Sequence, residues 1–351
     1  MNTLSTPLLW LVFAAAAAAT WFAGVYLARA TDALDERWKL GETFGGMLLL
    51  AISGTLPEVA ITVTAALSGQ LDLAAGNLLG GIAIQTAVLV ICDYFVKEKK
   101  PLSYMVGSLI PVLEANLVIG MTAVALLGTL LPTSAIVLRM SPASILIVII
   151  WFASMVLLNG VRNAPKWEVH MPGSQPGRPH RRVPHPVITH PFAARSTRQI
   201  LAIFAAGSLV TLLAGWALTV ASGLIASRAG ISGLVFGATI LALASALPEI
   251  STGIAAVRLG DHQLVMGDIF GGNAFQLTLF AVADLIAGKA VLAQAGIANS
   301  WLAGLGVLLT VVYAGAVVVR PERNYFRLGL DSIIVLVLLA IGMAGLAIIT
   351  R

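Results

Sequence analysis

Long apolar stretches separated by short polar loops dominate the chain. Each stretch is about 20 residues or longer, which is the length that an α-helix needs to cross about 30 Å of hydrocarbon. Ten of them occur, at residues 8–29, 43–67, 72–96, 105–131, 134–158, 200–226, 232–257, 263–287, 291–319 and 327–349. The pattern predicts an all-α polytopic membrane protein with ten transmembrane helices. The start, MNTLSTPLLW, lacks the basic residues of a secretory signal, so the first stretch is expected to stay as a helix.

One polar segment, residues 160–198, interrupts this pattern. It contains seven of the 15 prolines and four of the five histidines, namely His170, His180, His185 and His190. Their spacing matches no pattern of metal ligands, so a solvated, largely disordered linker is favoured over a metal site. The segment divides the chain into a first unit at 1–159, the linker at 160–198 and a second unit at 199–351.

Composition and charge support a membrane location. The chain is 58% apolar and 11% charged, with a mean hydropathy of +0.94, which excludes an ordinary soluble domain. Of the 21 basic residues, 17 fall on alternate loops: Arg29, Arg37, Lys39, Lys97, Lys99, Lys100, Arg162, Lys166, Arg178, Arg181, Arg182, Arg195, Arg198, Arg258, Arg320, Arg323 and Arg327. By the positive-inside rule these loops are cytoplasmic, and both termini lie outside the cytoplasmic membrane.

The net charge of +5 is explained by that topology, so nucleic acid is not an expected partner. The expected partners are the lipid bilayer and inorganic cations, and a monomer is compatible with the pattern. Cys92 is the single cysteine, which excludes an internal disulfide and favours a packed apolar role.

The two halves repeat each other. When residue n is aligned with residue n + 191, segments 51–94 and 242–285 share 13 identities in 44 positions, including Leu-Pro-Glu, Gly-Gly, Gln and Asp in one register. Each half contains five predicted helices, an odd number, so the second copy enters the membrane from the opposite side. Inverted repeats are a recurring plan of secondary transporters, whose site lies near the midplane where broken helices of the two repeats meet.

Each repeat carries a proline and a carboxylate inside an apolar run, Pro57-Glu58 and Pro248-Glu249. Proline has no N–H, so the carbonyls of Ser53 and Ala244 lose their helical partners. An uncompensated carboxylate in the membrane costs several kcal/mol. Free carbonyls beside a carboxylate are what a hard cation such as calcium or sodium requires.

Further polar residues occupy matching places on the following helices. Asn77 matches Asp268, and Gln85 and Gln276 lie eight residues later, about two turns on and near the same face. Glu114 could line an access path or pair in packing. Asp93 and Asp284 also match, but they fall near helix ends where solvation is easy, so a structural role is favoured for them.

The two blocks resemble the alpha repeats of the sodium/calcium exchanger (cation/calcium antiporter) superfamily. The first copy reads Ser53-Gly54-Thr55-Leu56-Pro57-Glu58 and then Gly76-Asn77-Leu78-Leu79-Gly80-Gly81-Ile82-Ala83-Ile84-Gln85. The second reads Ala244-Ser245-Ala246-Leu247-Pro248-Glu249 and then Gly267-Asp268-Ile269-Phe270-Gly271-Gly272-Asn273-Ala274-Phe275-Gln276. These motifs cover about a quarter of the chain.

The resemblance implies a central cation site with Glu58 and Glu249 as the main metal ligands. Thr55 and Ser245 would add hydroxyl or carbonyl oxygens, although Thr55 has only Ala246 as its repeat mate. The family's serine is replaced by glycine at 81 and 272, and its final Asn or Asp by Gln85 and Gln276. Since those positions serve sodium in the family, protons are a plausible substitute as the driving ion.

The expected function is therefore a cation antiporter that works by alternating access. We expect calcium to move against sodium or protons, with no cofactor beyond the transported ions. A sodium/proton exchanger without calcium transport is the alternative. An intramembrane enzyme is disfavoured because no HExxH or GxSxG motif occurs and Cys92 has no nearby His. A channel would show conductance without counter-transport, and a silent scaffold would bind no cation.

Overall fold

A computed structural model describes residues 1, 3–38, 52–98, 100–163, 192, 195–294 and 296–350. This part of the chain is mostly helical. Its helices are α1 Thr6–Trp38, α2 Leu56–Leu67, α3 Leu71–Tyr94, α4 Leu102–Met105, α5 Ile110–Gly128, α6 Pro142–Asn163, α7 Thr197–Ala229, α8 Gly233–Phe236, α9 Ala242–Ser245, α10 Leu247–Leu259, α11 His262–Ala287, α12 Val291–Gln294, α13 Ile297–Val319 and α14 Leu330–Ile349. A π-helical turn, Gly237–Leu241, joins α8 to α9. A small hairpin pairs β1 Asn324–Tyr325 with β2 Leu328–Gly329.

Most of the predicted transmembrane helices are present. Within the described residues, eight helices are long and apolar enough to cross a membrane, and a ninth span results if the bent pair 233–245 and 247–259 is counted as one. The remaining predicted helix, 43–67, is described only from residue 52 onwards, where it includes α2. The predicted linker lies almost entirely outside the described residues.

Three predicted boundaries were wrong. The span predicted at 105–131 begins only at Ile110, the start of α5, and Pro111 lies in the first turn of this helix, where proline is well tolerated. The stretch 134–158 becomes helical only at Pro142, because a tight turn with Leu138 and Arg139 in the left-handed region precedes it. The stretch 291–319 is divided into α12 and α13.

Helices α3 and α11 lie at the centre of the molecule. They pack against each other and against α2 and α10, and α11 also packs against α5. Helices α1 and α7 pack side by side, and α1 also contacts α10 while α7 contacts α2. The long pair α1 and α7 therefore lies beside the two helices that carry the Pro-Glu motifs.

Basic residues of the predicted cytoplasmic loops meet at one end of the bundle. Lys97 Nζ donates to the carbonyl of Arg258 at 2.8 Å, Lys100 Nζ lies 2.7 Å from Glu322 Oε2, and Arg320 Nη2 donates to the carbonyl of Tyr104 at 2.6 Å. We call this the basic end. At the other end, Arg139 Nε donates to the carbonyl of Leu285 at 3.2 Å, and Arg228 Nη1 donates to the carbonyl of Leu4 at 2.7 Å.

Candidate cation-binding site

Both Pro-Glu motifs lie where a helix is interrupted. The interruptions fall at Thr55 (φ −101°, ψ 16°) and at its repeat mate Ala246 (φ −82°, ψ 2°). Each proline then occupies the first turn of a new helix, where its missing N–H costs nothing. The helical segment 233–245 and α10 meet at an angle of 43°. The prolines in the sequence predicted these interruptions. As a result, both glutamates lie in the first turn of a helix.

Glu58 is fully enclosed between the two halves of the chain. Its side chain is 0% exposed, and its Oε1 accepts a hydrogen bond of 3.2 Å from Gln85 Nε2. The Ser245 hydroxyl, which belongs to the second half, lies beside the same carboxylate. Oε2 of Glu58 has no hydrogen-bond partner within the described residues. Among the described residues, Glu58 thus presents one oxygen without a hydrogen-bond partner in the interior.

Glu249 lies near Glu58 and is nearly as buried. It is 9% exposed, its Oε2 has no hydrogen-bond partner within the described part of the chain, and it lies within the electrostatic influence of Glu58. Two buried carboxylates repel each other and lose their hydration, which is costly unless a positive charge is present. The pair therefore has the electrostatics of a cation site.

Asp268 and Asn77, which are repeat mates, have different surroundings. Asp268 is partly buried and lies beside Thr252, whose Oγ1 donates to the carbonyls of Pro248 and Glu249 at 3.1 and 3.3 Å. Asn77 is fully buried, and neither atom of its side-chain amide has a partner within the described residues. Asp268 therefore adds charge one turn beyond Glu249, whereas Asn77 adds a neutral oxygen.

Gln276 does not repeat the role of Gln85. Its Nε2 donates to the carbonyls of Leu78 at 2.7 Å and Asn77 at 3.3 Å, across the α3–α11 contact. A Cβ placed on Gly81 would overlap this nitrogen. A Cβ on the repeat mate Gly272 would meet nothing closer than Thr55 Cγ2 at 3.9 Å. The replacement of serine by glycine at position 81 thus makes room for the Gln276 amide.

The remaining predicted residues, Ser53 and Thr55, are buried at the interruption before α2. One polar residue of this region was not predicted: Asn273 is fully buried, and its Oδ1 has no partner within the described residues, while its Nδ2 donates to Thr86 Oγ1 at 3.4 Å. Comparison of the repeats hid it, because its repeat mate is Ile82. The sequence signal was its place directly after the repeated pair Gly271-Gly272.

Asp93 and Asp284 are structural, but the reason given from the sequence was wrong. They are 2% and 0% exposed, so water does not solvate them. Asp93 accepts hydrogen bonds from the backbone N–H groups of Leu102 and Gly329 at 2.7 Å. Asp284 accepts from the N–H group of Val291 at 2.7 Å and from that of Ser141 at 2.8 Å. Each carboxylate thus satisfies buried backbone donors.

The oxygen atoms at the centre of the molecule are suitable ligands for a hard cation. They are carboxylate, amide and hydroxyl oxygens, whereas no group of three or more His, Cys, Asp or Glu side chains that could hold a metal occurs within the described ranges. Oxygen ligands with a net negative charge are the preference of calcium and other hard cations.

Comparisons with known proteins agree with this architecture. The chain is 26% identical over 275 residues to a protein named as an antiporter, CaxA, of Alkalimonas amylolytica, covering 77% of this chain and 79% of that protein. It is 24% identical over 249 residues to the inner membrane protein YrbG of Escherichia coli strain K12, covering 68% of this chain and 70% of that one.

Solved structures share the fold. The structure of an H+/Ca2+ exchanger, CAX, superimposes with a TM-score of 0.65 at 16% identity, covering 97% of this chain and 85% of that one. The sodium-calcium exchanger NCX_Mj superimposes with a TM-score of 0.58 at 14% identity, covering 97% of this chain and 99% of that one.

Fold and site together define a helical multi-pass membrane protein of the ion-antiporter class, with buried carboxylates at its centre. The chain belongs to the sodium/calcium exchanger protein family, which matches residues 8–161 and 199–349. The resemblance read from the two motifs is confirmed, and it extends over both halves of the chain.

Proposed function

We propose that this protein is a secondary-active antiporter that moves calcium against sodium or protons by alternating access. The observation that carries the proposal is the pair Glu58 and Glu249, which come from different halves and each present an oxygen without a partner among the described residues. A calcium ion between them would neutralise both charges. Asn77, Gln85, Ser245 and the other predicted residues would then complete or orient the ligand set.

Helix directions support an inverted arrangement of the two halves. Helix α3 ends near the basic end, next to Glu98, and its repeat mate α11 begins there, with His262 Nε2 lying 3.7 Å from Glu98 Oε2. The matching helices therefore run in opposite directions. Such pseudo-symmetry allows a single site to open to either side in turn. The proposed units remain 1–159 and 199–351, with both termini outside.

Both counter-ions occur among chains of this fold, since one solved structure is named an H+/Ca2+ exchanger and another a sodium-calcium exchanger. Gly81 and Gly272 carry no hydroxyl that could serve a second cation, so we propose that this chain binds fewer sodium ions than a serine-bearing site would. The two glutamates could accept protons when calcium leaves. Protons and sodium both remain within the proposal as driving ions.

Transport in liposomes tests the proposal. Purified protein is reconstituted, a sodium gradient and a proton gradient are imposed separately, and calcium flux is measured for each. Calcium flux is expected under at least one gradient, and Glu58→Gln or Glu249→Gln should abolish it. The matched control is Glu322→Gln, which removes an exposed carboxylate at the basic end and should leave the flux unchanged.

Two results would count against the proposal. Calcium flux of ordinary rate in Glu58→Gln or Glu249→Gln would overturn the assignment of the site. Sodium flux under a proton gradient that is insensitive to calcium, with no calcium flux, would instead identify a monovalent cation exchanger.

A further inference from the structure

Two junctions in the molecule are built in the same way at opposite ends of the bundle. At the basic end, Asp93 binds the backbone N–H of Leu102, which begins α4, and that of Gly329, which precedes α14. At the other end, Asp284 binds the N–H groups of Val291, which begins α12, and of Ser141, which precedes α6. Residues at the two junctions can therefore be compared by their position in the helices that begin there.

The residues that surround these two aspartates differ in chemistry. At the Asp284 junction, the second residue of α6 is Ala143 and the second residue of α12 is Leu292, and both are buried against Gly128. The corresponding residues at the Asp93 junction are Asp331 of α14 and Ser103 of α4. An apolar contact at one junction is thus replaced by a carboxylate and a hydroxyl at the other.

The backbone at the Asp93 junction is adapted to that carboxylate. The residue before α14 is Gly329, and a Cβ at this position would overlap Asp331 Oδ1. The residue before α6 is Ser141, and the residue that corresponds to Asp331 is Ala143. Because the other junction has an alanine at this place, we expect the chain to tolerate Asp331→Ala.

The Asp331 carboxylate is buried among other oxygen atoms. It is 4% exposed, and it lies beside Ser103 and within the electrostatic influence of Asp93. Ser332 Oγ donates to Asp93 Oδ2 at 2.6 Å and lies 3.1 Å from the buried Tyr313 hydroxyl. The Ser103 hydroxyl and the backbone N–H groups of Asp331 and Ser332 lie beside this carboxylate, but within the described residues none of them makes a hydrogen bond of ordinary geometry with it.

Two cationic side chains of the basic end have other partners. Lys100 pairs with Glu322 at 2.7 Å, and Arg320 donates to the carbonyl of Tyr104 while its guanidinium lies 5.0 Å from the centre of the Tyr104 ring. The carboxylates of Asp331 and Asp93 are both buried and have other oxygen atoms as neighbours. The charge of such a pair matches that of one divalent cation, and calcium accepts carboxylate and hydroxyl oxygens alike.

We propose that Asp331, Asp93 and Ser103 form a second calcium-binding site at the basic end of the bundle, separate from the site of Glu58 and Glu249. Asp331 and Ser103 supply the open oxygens, and Asp93 supplies further charge while its own oxygens hold the backbone. If the basic end is cytoplasmic, this second site reports cytoplasmic calcium to the start of α14.

Equilibrium binding of radioactive calcium to the purified full chain tests the proposal. We expect two calcium ions per chain in the unmodified protein and one in the double variant Glu58→Gln, Glu249→Gln. Adding Asp331→Ala to that double variant should remove the remaining ion. Asp331→Ala copies Ala143 of the other junction, so the variant should fold, which elution volume and thermal unfolding will show; Asp331→Asn, which keeps the shape, serves if it does not.

The outcomes separate the two sites. The second site is overturned if the double variant binds no calcium, or if Asp331→Ala and Asp331→Asn leave its binding unchanged. Loss of one ion on Asp331→Ala, together with undiminished binding in the double variant, would support the second site and would refute the central one.

Discussion

Gly81 and Gln276 are matched to each other across the contact between the two halves. The amide of Gln276 lies where the side chain of residue 81 would otherwise point, and its donor nitrogen binds two backbone carbonyls of α3. A hydrogen bond between buried partners adds about 1 kcal/mol to stability, and a donor left without partners costs more than that. The glycine and the glutamine are therefore expected to depend on one another.

We predict that Gly81→Ala lowers the free energy of unfolding by about 1–3 kcal/mol, because the new methyl group displaces the Gln276 amide from its carbonyl partners. The loss should be much smaller when Gly81→Ala is made in a Gln276→Ala background, where the space is already empty. Thermal unfolding of the four proteins in detergent gives this coupling. Gly272→Ala is the matched control, since its nearest neighbour lies 3.9 Å away, and equal losses at 81 and 272 would contradict the argument.

At the scale of single residues, the sequence identified Glu58 and Glu249 but not the arrangement around them. The repeated Pro-Glu pair could be recognised in the sequence, because a carboxylate inside the membrane is costly and indicates a compensating function. The orientation of Gln276 was not visible, because its repeat mate Gln85 instead donates to Glu58. Side-chain rotamers depend on the space left by neighbours, and that space differs between the two repeats.

At the scale of elements, α1 and α7 contact the Pro-Glu helices through two glycines that are themselves repeat mates. Gly24 of α1 faces Pro248, and a Cβ there would lie 2.8 Å from the Pro248 Cβ and Cγ atoms. Gly215 of α7 faces α2, and a Cβ there would overlap Ala60 Cβ and lie 3.3 Å from the Pro57 carbonyl oxygen. Glycine at both contacts lets the long helices lie directly against the helices that carry the Pro-Glu motifs.

We predict that Gly215→Ala slows calcium transport about tenfold at saturating calcium, with a smaller effect on calcium binding. The added methyl group destabilises the packed conformation by about 1–3 kcal/mol and so shifts the balance between the conformations that the cycle needs. Gly24→Ala should act in the same way. Flux in liposomes and equilibrium calcium binding measure the two effects.

Gly207→Ala is the control on the same helix, because its nearest neighbours, Ala23 O and Leu27, lie 3.6 and 3.7 Å away in ordinary contact. Transport by Gly215→Ala at the rate of Gly207→Ala would show that the close contact does not restrict movement.

Helices as elements were largely predictable, whereas their interruptions were only partly so. Apolar length is a strong signal in a chain that must satisfy its backbone inside lipid. The breaks at Thr55 and Ala246 followed from the prolines after them. The π-helical turn Gly237–Leu241 and the hairpin with Phe326 and Arg327 in the left-handed region have no such local signal, since close packing or a short connection between helices imposes them.

At the scale of the whole molecule, the structure brings together at one end the loops that the distribution of charge groups on one side of the membrane. Loops that the positive-inside rule places in the cytoplasm meet at the basic end, through contacts such as Lys97 with Arg258 and Lys100 with Glu322. The chain start lies at the opposite end, where Arg228 binds the carbonyl of Leu4. Accessibility measurements in intact cells test this orientation.

We predict that Thr3→Cys reacts with a membrane-impermeant thiol reagent in intact cells, and that Glu322→Cys reacts only after the membrane is permeabilised. Both positions are exposed, whereas the native Cys92 is fully buried and should stay unlabelled in either condition. A Cys92→Ala background removes any residual signal. Labelling of Glu322→Cys but not Thr3→Cys in intact cells would reverse the orientation, and it would place the proposed second calcium site on the outer side, where it could not report cytoplasmic calcium.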